Sequence, residues 1–128
     1  MRVDPQALIQ AAMKARDNAY APYSGYHVGA VALGGSGQTY TGCNVENTSY
    51  GLTVCAERVA ILKAISEGEK EIAAIAVATE SGATPCGACR QVLFEFGPTA
   101  RVVLSGEDGT WKEMALDDLL PDAFTRKR

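Results

Sequence analysis

The chain has little basic clustering, a single histidine (His27), four cysteines and no long apolar run in its 128 residues. Each scarcity excludes something. Without about 20 consecutive apolar residues, no helix is long enough to cross a bilayer. The first twenty residues, MRVDPQALIQAAMKARDNAY, mix charges throughout and lack the apolar core of a signal peptide. The resulting expectation is a cytoplasmic protein with no membrane partner. Net charge is −3, with acids and bases interspersed. A nucleic-acid surface needs a basic patch, so no nucleic-acid partner is expected. The one basic cluster, Arg126, Lys127 and Arg128, reads as a solvated tail. There is no internal repeat, low-complexity tract or linker. A hydrophobic content of 47% is too high for disorder. Residues 1–128 therefore read as one domain.

What is present is a clear alternation of periods. Asp4 before Pro5 reads as a helix cap followed by the first helical residue. Ala7, Leu8, Ala11, Ala12 and Ala15 then form a helical stripe that runs to near Tyr20. YHVGAVALGGSGQTYTGCNVEN reads as a hairpin turning at GGSGQ. CAERVAILKAISEGEK reads as a second helix stopped by Gly68. IAAIAVAT, residues 72–79, is apolar on both alternating faces, which predicts a strand covered on both sides. CRQVLFEFG reads as a third helix, RVVLSG as a strand and TWKEMAL as a short strand. DDLLPDAF reads as a short helix or turn ended by Pro121. The fold class is α/β, one mixed sheet with helices on both faces. Strand order cannot be read from this pattern.

The cysteines carry the chemistry. Cys86 and Cys89, in TPCGACRQ, are compatible with a redox pair, half of a structural zinc site or part of a catalytic one. A reducing cytosol favours thiolate or metal chemistry over disulfides. Cys55 stands two residues before Glu57 at the start of the second helix. Positions i and i+2 of a helix diverge by roughly 200°. Both side chains can face one site only if Cys55 lies at the helix edge. Cys86 and Cys89 are spaced to share a face, Pro85 fixes the backbone before them, and Gly87 is expected to permit close backbone approach. Three cysteines at the N-terminal ends of two helices favour thiolate. Three thiolates leave one tetrahedral zinc position open, as catalytic rather than structural sites do. Cys43 and His27 are candidates to close it, though each alone is more often a packed residue. Glu57 tips the balance, because a carboxylate beside an open zinc position can shuttle protons. The pattern Cys-x-Glu followed by Pro-Cys-x-x-Cys is that of zinc deaminases, in an all-cysteine version, since the chain has no His-x-Glu.

Nearly the whole chain resembles the small homotetrameric cytidine deaminases. The resemblance is carried by AYAPYSGYHVGA (19–30), TGCNVENTSYG (41–51), CAER (55–58), EGEKEI (67–72), PCGACRQVL (85–93) and LLPDAF (119–124). It implies a three-layer α/β/α fold with a five-stranded mixed sheet, and one Zn²⁺ per chain on Cys55, Cys86 and Cys89. It implies Glu57 as proton shuttle, and Arg58 as a hydrogen-bond donor to ligand thiolates. It implies that Asn44 and Glu46 bind the ribose and that Tyr26, where the family usually has Phe, packs on the pyrimidine. Tyr50 and Phe124 match positions that approach a neighbouring subunit's site. The implied reaction is hydrolytic deamination of cytidine and 2′-deoxycytidine to uridine and 2′-deoxyuridine plus ammonia, in pyrimidine salvage.

Competing readings stand beside these. Arg58 as a solvated helix residue, Asn44 and Glu46 as plain loop residues, and Tyr26 and Phe124 as core aromatics are the bland alternatives. Cys43 reads as a buried thiol and His27 as a residue packed beside the hairpin. A deaminase for another cytosine nucleoside, such as an antibiotic of the blasticidin type, is the nearest functional rival. A non-catalytic zinc or redox domain would not need Cys55, Glu57 or NVEN. An enzyme acting on RNA or DNA is disfavoured by the acidic balance.

Overall fold

The computed structural model describes residues 4–126; Lys127 and Arg128 of the basic cluster lie outside them. Helix α1 spans Pro5–Arg16, and Asp4 caps it by accepting from the Ala7 N–H at 3.4 Å. It stops four residues before Tyr20, the end suggested by the apolar stripe, and passes into a turn at Asp17. Tyr20 instead sits in an isolated bridge to Val45, because the Tyr20 N–H donates to the Asn44 carbonyl at 2.9 Å. Strands β1 (Gly29–Gly34) and β2 (Thr39–Cys43) form the expected antiparallel hairpin, with Tyr26–Val28 ahead of it and outside the strand. Helix α2 is Ala56–Ser66, and Gly68 follows it at φ +106, the left-handed stop that glycine favours. Strand β3 is Ile72–Ala78, helix α3 Gly87–Phe96, strand β4 Arg101–Ser105, strand β5 Trp111–Ala115 and helix α4 Leu116–Leu119. Helix α3 starts earlier than its apolar run, because Cys86 rather than Cys89 is its N-cap.

The sheet runs β2-β1-β3-β4-β5, antiparallel except for the parallel β3–β4 pair. A parallel pair needs a crossover, and α3 supplies it. As its composition predicts, β3 is covered on both faces. Ala74, Ala76 and Ala78 join Val31, Leu33 and Val103 beneath Leu8, Ile9 and Ala12 of α1. Ile75 and Val77 join Val102, Leu104, Ala60, Ile61 and Leu93 under α2 and α3. The layers are α/β/α with one continuous sheet.

Two glycines let the helices lie close on the sheet. A Cβ at Gly29 would fall 2.0 Å from the Ala12 carbonyl oxygen of α1. One at Gly42 would fall 2.6 Å from the carbonyl oxygen of Ala56 and from the nitrogen of Ala60. The second contact sets the start of α2 directly on β2, one turn from Cys55. Gly87 behaves otherwise. Nothing lies within 4 Å of a Cβ built there, so close backbone approach is not its role within the chain.

Candidate metal and catalytic site

Both helix starts have the form that the Cys55–Glu57 spacing demands. Cys55 is the N-cap of α2 at φ −71, ψ 153, and Cys86 is the N-cap of α3 at φ −66, ψ 167. Extended backbone at the cap turns each thiol off the helical course, so Cys55 and Glu57 are freed from the divergence of i and i+2 inside a helix. The two caps meet beyond the C-terminal end of β3, the usual location for sites in sheets with parallel strands. The sulfurs of Cys55 and Cys86 are 4.0 Å apart, and those of Cys86 and Cys89 are 3.4 Å apart. All three lie within 4.8 Å of one another, and among the described residues no other group of three such donors forms. Thiolates at about 2.3 Å from one tetrahedral Zn²⁺ stand about 3.8 Å apart. The three sulfurs are spaced to fit that ion, and the soft donor set suits it.

Cys43 and His27 do not join the cluster. Cys43 ends β2 half-buried. His27 is exposed, and its carbonyl accepts from Arg16 Nε at 2.7 Å.

Charge in the cluster is unevenly held. The Cys89 thiol and the Arg58 guanidinium hydrogen-bond to Cys55 and bring its pKa down to about 5. The Cys55 thiolate beside it, together with burial, raises the pKa of Cys89. Arg58 Nη2 lies 3.6 Å from Cys55 Sγ and 3.4 Å from the Thr53 carbonyl oxygen. This is a site contact rather than a solvated side chain. Glu57 is 6% exposed, and burial pushes its carboxyl up to about 7, with the negative charge of Cys55 adding to the shift.

A cavity of about 220 Å³ opens beside the cluster, lined in part by Cys55, Glu57, Cys86, Tyr26 and Asn44. A second of about 320 Å³ is lined by Tyr23, Ser24, Glu46, Tyr50 and Thr53. Thr53 lines both, so the two adjoin. A larger hollow, about 630 Å³, lies at the opposite end of β3 beside Ile72 and Gly97, remote from the cysteines. Volume does not select the site here; the clustered sulfurs and the buried carboxyl do.

Asn44 and Glu46 are more firmly engaged than loop residues would be. Asn44 Oδ1 accepts from the Val28 N–H at 2.9 Å, and Nδ2 donates to the Tyr26 carbonyl at 2.8 Å, fixing the backbone on both sides of His27. Glu46 accepts from the N–H groups of Tyr23 at 2.9 Å and Ser24 at 3.2 Å, and from the Ser24 hydroxyl. These bonds, the Ser24 hydroxyl first, hold the Glu46 carboxyl below the usual range. Tyr26 is 38% exposed over the smaller cavity, so it is not a core aromatic. Tyr50 is 77% exposed and meets Tyr23 edge-on at 6.2 Å. Phe124 lines neither cavity and is 68% exposed, its carbonyl accepting from Gln91 Nε2 at 3.0 Å.

Sequence reasoning assigned no role to Thr53, Thr79, Thr84 or Ser24, which line the two cavities. The available signal was modest. Ser24 sits in APYSG and Thr84 directly precedes Pro85.

Comparison with known proteins agrees with this geometry. Residues 2–105 match the family model for the cytidine and deoxycytidylate deaminase zinc-binding region. A cytidine deaminase of Halalkalibacterium halodurans is 48% identical over 126 residues, covering 96% of each chain. One from Mycobacterium tuberculosis is 44% identical over 95% of this chain and 90% of its own. The crystal structure of cytidine deaminase from Burkholderia pseudomallei superposes with a TM-score of 0.91 at 50% identity, covering 95% of this chain and 100% of that one.

Proposed function

The chain belongs to the cytidine and deoxycytidylate deaminase family, and from that premise we propose that it is a zinc-dependent hydrolase converting cytidine and 2′-deoxycytidine to uridine and 2′-deoxyuridine with release of ammonia. The observation that carries this reading is the meeting of three sulfurs, within 4.8 Å, beside a buried Glu57 on a cavity shared with Tyr26 and Asn44.

In this reading one Zn²⁺ per chain is held by Cys55, Cys86 and Cys89. Bound there, zinc supplies a Lewis acid that makes water nucleophilic near neutral pH. Glu57 does the proton work. It takes a proton from the attacking water and delivers it to N3 of the cytosine ring, then takes the second proton from the hydroxyl now on C4 and gives it to the departing amine. The C4–N bond breaks, and ammonia leaves. The balance is one water consumed and one ammonia released. A carboxyl that exchanges its proton near neutral pH suits both halves of that task. Arg58 draws charge from the Cys55 sulfur, and the two helix N-termini add to that pull. Tyr26 packs against the pyrimidine. Asn44 and Glu46 face the sugar, the carboxylate of Glu46 having an acceptor position beyond the three it gives to Tyr23 and Ser24.

We read residues 1–128 as a single catalytic domain acting in pyrimidine salvage in the cytoplasm. Among the described residues no helix is long and apolar enough to cross a membrane. The assembly is a homotetramer in which Tyr50 and Phe124 reach a neighbouring subunit's site. Their exposure, with that of Leu52 at 66%, supports burial by a second copy. The deciding assay is loss of cytidine absorbance on adding purified protein, with and without a chelator, alongside a solution mass. Absence of turnover in zinc-loaded protein overturns the function, and a fully active monomer overturns the assembly.

A further inference from the structure

The backbone leading to Cys86 is held by side chains rather than by a ladder. Residues 82–86 are neither helix nor strand. The Thr79 hydroxyl accepts from the N–H groups of Gly82 at 2.8 Å and Ala83 at 3.0 Å. Beyond that point Arg90 takes over. Its Nε donates to the Pro85 carbonyl at 2.8 Å and its Nη2 to Thr84 Oγ1 at 2.9 Å. Its Nη1 donates to the Leu119 carbonyl at 2.7 Å, at the end of α4. Three donors of one planar fork thus meet three oxygens from two separate segments. The next residue, Gln91, donates from Nε2 to the Phe124 carbonyl at 3.0 Å.

We propose that Arg90 is a positioning residue that sets Cys86 for the metal and, with Gln91, fastens the cysteine loop to the C-terminal segment 119–124. The inference rests on the reading of Cys55, Cys86 and Cys89 as a zinc site.

Four observations carry it. Cys86 is exposed and makes no capping bond through its side chain, so its placement depends on the peptide before it. That peptide belongs to Pro85, which has no N–H, leaving its carbonyl as the only backbone hydrogen-bonding group of that residue. Arg90 binds it. Second, the guanidinium bonds of Arg90 end on oxygens, whereas Arg58 reaches a cysteine sulfur. Arg90 therefore acts by geometry rather than by drawing charge from a thiolate. Third, a lysine ammonium is a flexible point charge and cannot reproduce a rigid fork with three fixed directions. Fourth, the fork grips Leu119 as firmly as Pro85. The segment beyond Leu119 turns through Asp122 at φ 52 and carries Phe124. Metal loop and C-terminal segment are thereby held by one side chain, so loss of that side chain loosens both.

The test uses full-length protein loaded with zinc: wild type, Arg90→Lys, Thr84→Val and Gln91→Ala. Zinc release to a chromogenic chelator and amide hydrogen exchange across residues 119–124 are both measured. Arg90→Lys should release zinc roughly 10- to 100-fold more readily, as loss of a residue that orients a ligand does. It should also exchange faster across 119–124. Thr84→Val, which removes one acceptor, should release zinc more readily by a smaller factor. Gln91→Ala should exchange faster across 119–124 while holding zinc as wild type does. Wild-type zinc release in Arg90→Lys overturns the proposal, since charge alone would then suffice. If that variant fails to fold, wild-type release in Thr84→Val does the same. Unchanged exchange in both Arg90→Lys and Gln91→Ala overturns the fastening. Failure of the wild-type protein to hold zinc overturns the site reading instead.

Discussion

Arg58 stands with Nη2 3.6 Å from the sulfur of Cys55, and its Nε is buried without a partner among the described residues. Leaving a buried donor unpaired costs stability, so the side chain is held where it is by what its other end does. Replacing Arg58 with Ala should weaken zinc retention roughly 10- to 100-fold. Arg58→Lys should recover part of it, because here the positive charge itself matters. Chelator competition on the purified variants checks both. Equal losses in the two would show that charge beside the thiolate is unimportant.

The cysteines divide three to one. Cys55→Ala, Cys86→Ala and Cys89→Ala should each lose the metal, while Cys43→Ala retains it, as its place at the end of β2 outside the cluster implies. Metal analysis of the four proteins decides. Loss in Cys43→Ala comparable to the others would mean a closed, structural site.

Glu57→Gln should keep fold and zinc yet lose turnover by about 10⁴-fold or more. Each proton transfer by a positioned group contributes roughly 10²–10⁴-fold, and Glu57 is asked to perform several. The amide is close in shape, so packing at this buried position is little disturbed. A variant retaining a tenth of the wild-type rate would assign the shuttle to another group.

Specificity for the sugar should follow Glu46. Cytidine and deoxycytidine both carry a 3′-hydroxyl to donate to its carboxylate, whereas free cytosine carries none. Once substrate covers the Glu46 carboxylate, an acceptor position left empty there discriminates against a ligand lacking the donor. Glu46→Ala also releases Tyr23 and Ser24, so substrate variation is the cleaner experiment. Steady-state kinetics should rank 2′,3′-dideoxycytidine well below cytidine. Equal turnover would return NVEN to a purely structural role.

Acid stability should depend on Glu69. It accepts from Tyr40 at 2.8 Å, from the Ser36 N–H at 3.2 Å and from the Ser36 hydroxyl, tying the β1–β2 turn to the end of α2. Those bonds, the Ser36 hydroxyl first, hold its carboxyl below the usual range. A carboxyl depressed in the folded state stabilises above its unfolded pKa, and that contribution is lost as pH falls through the folded one. Glu69→Gln should therefore lower the denaturation midpoint near neutral pH and converge with wild type in acid. Parallel midpoints at every pH would show that its ionisation does not matter.

The sequence by itself determined the local pieces. Asp4 and Pro5 started α1, Gly68 ended α2, and the double-sided apolar pattern of residues 72–79 foretold a strand covered on both faces, found at Ile72–Ala78. The geometry of a helix even required Cys55 to be a cap if it shares a site with Glu57, and a cap is what it is. These follow from periodicity and end chemistry, which act within a few residues. Tertiary structure alone decided the strand order and the meeting of the α2 and α3 caps beyond β3. It alone left Cys43 and His27 outside the cluster, divided the cavity at Thr53, and gave Asn44, Glu46 and Arg90 their partners. A polar side chain bonds to whatever packing brings within about 3 Å. For Arg90 that includes a carbonyl 29 residues along the chain, and no local pattern records it.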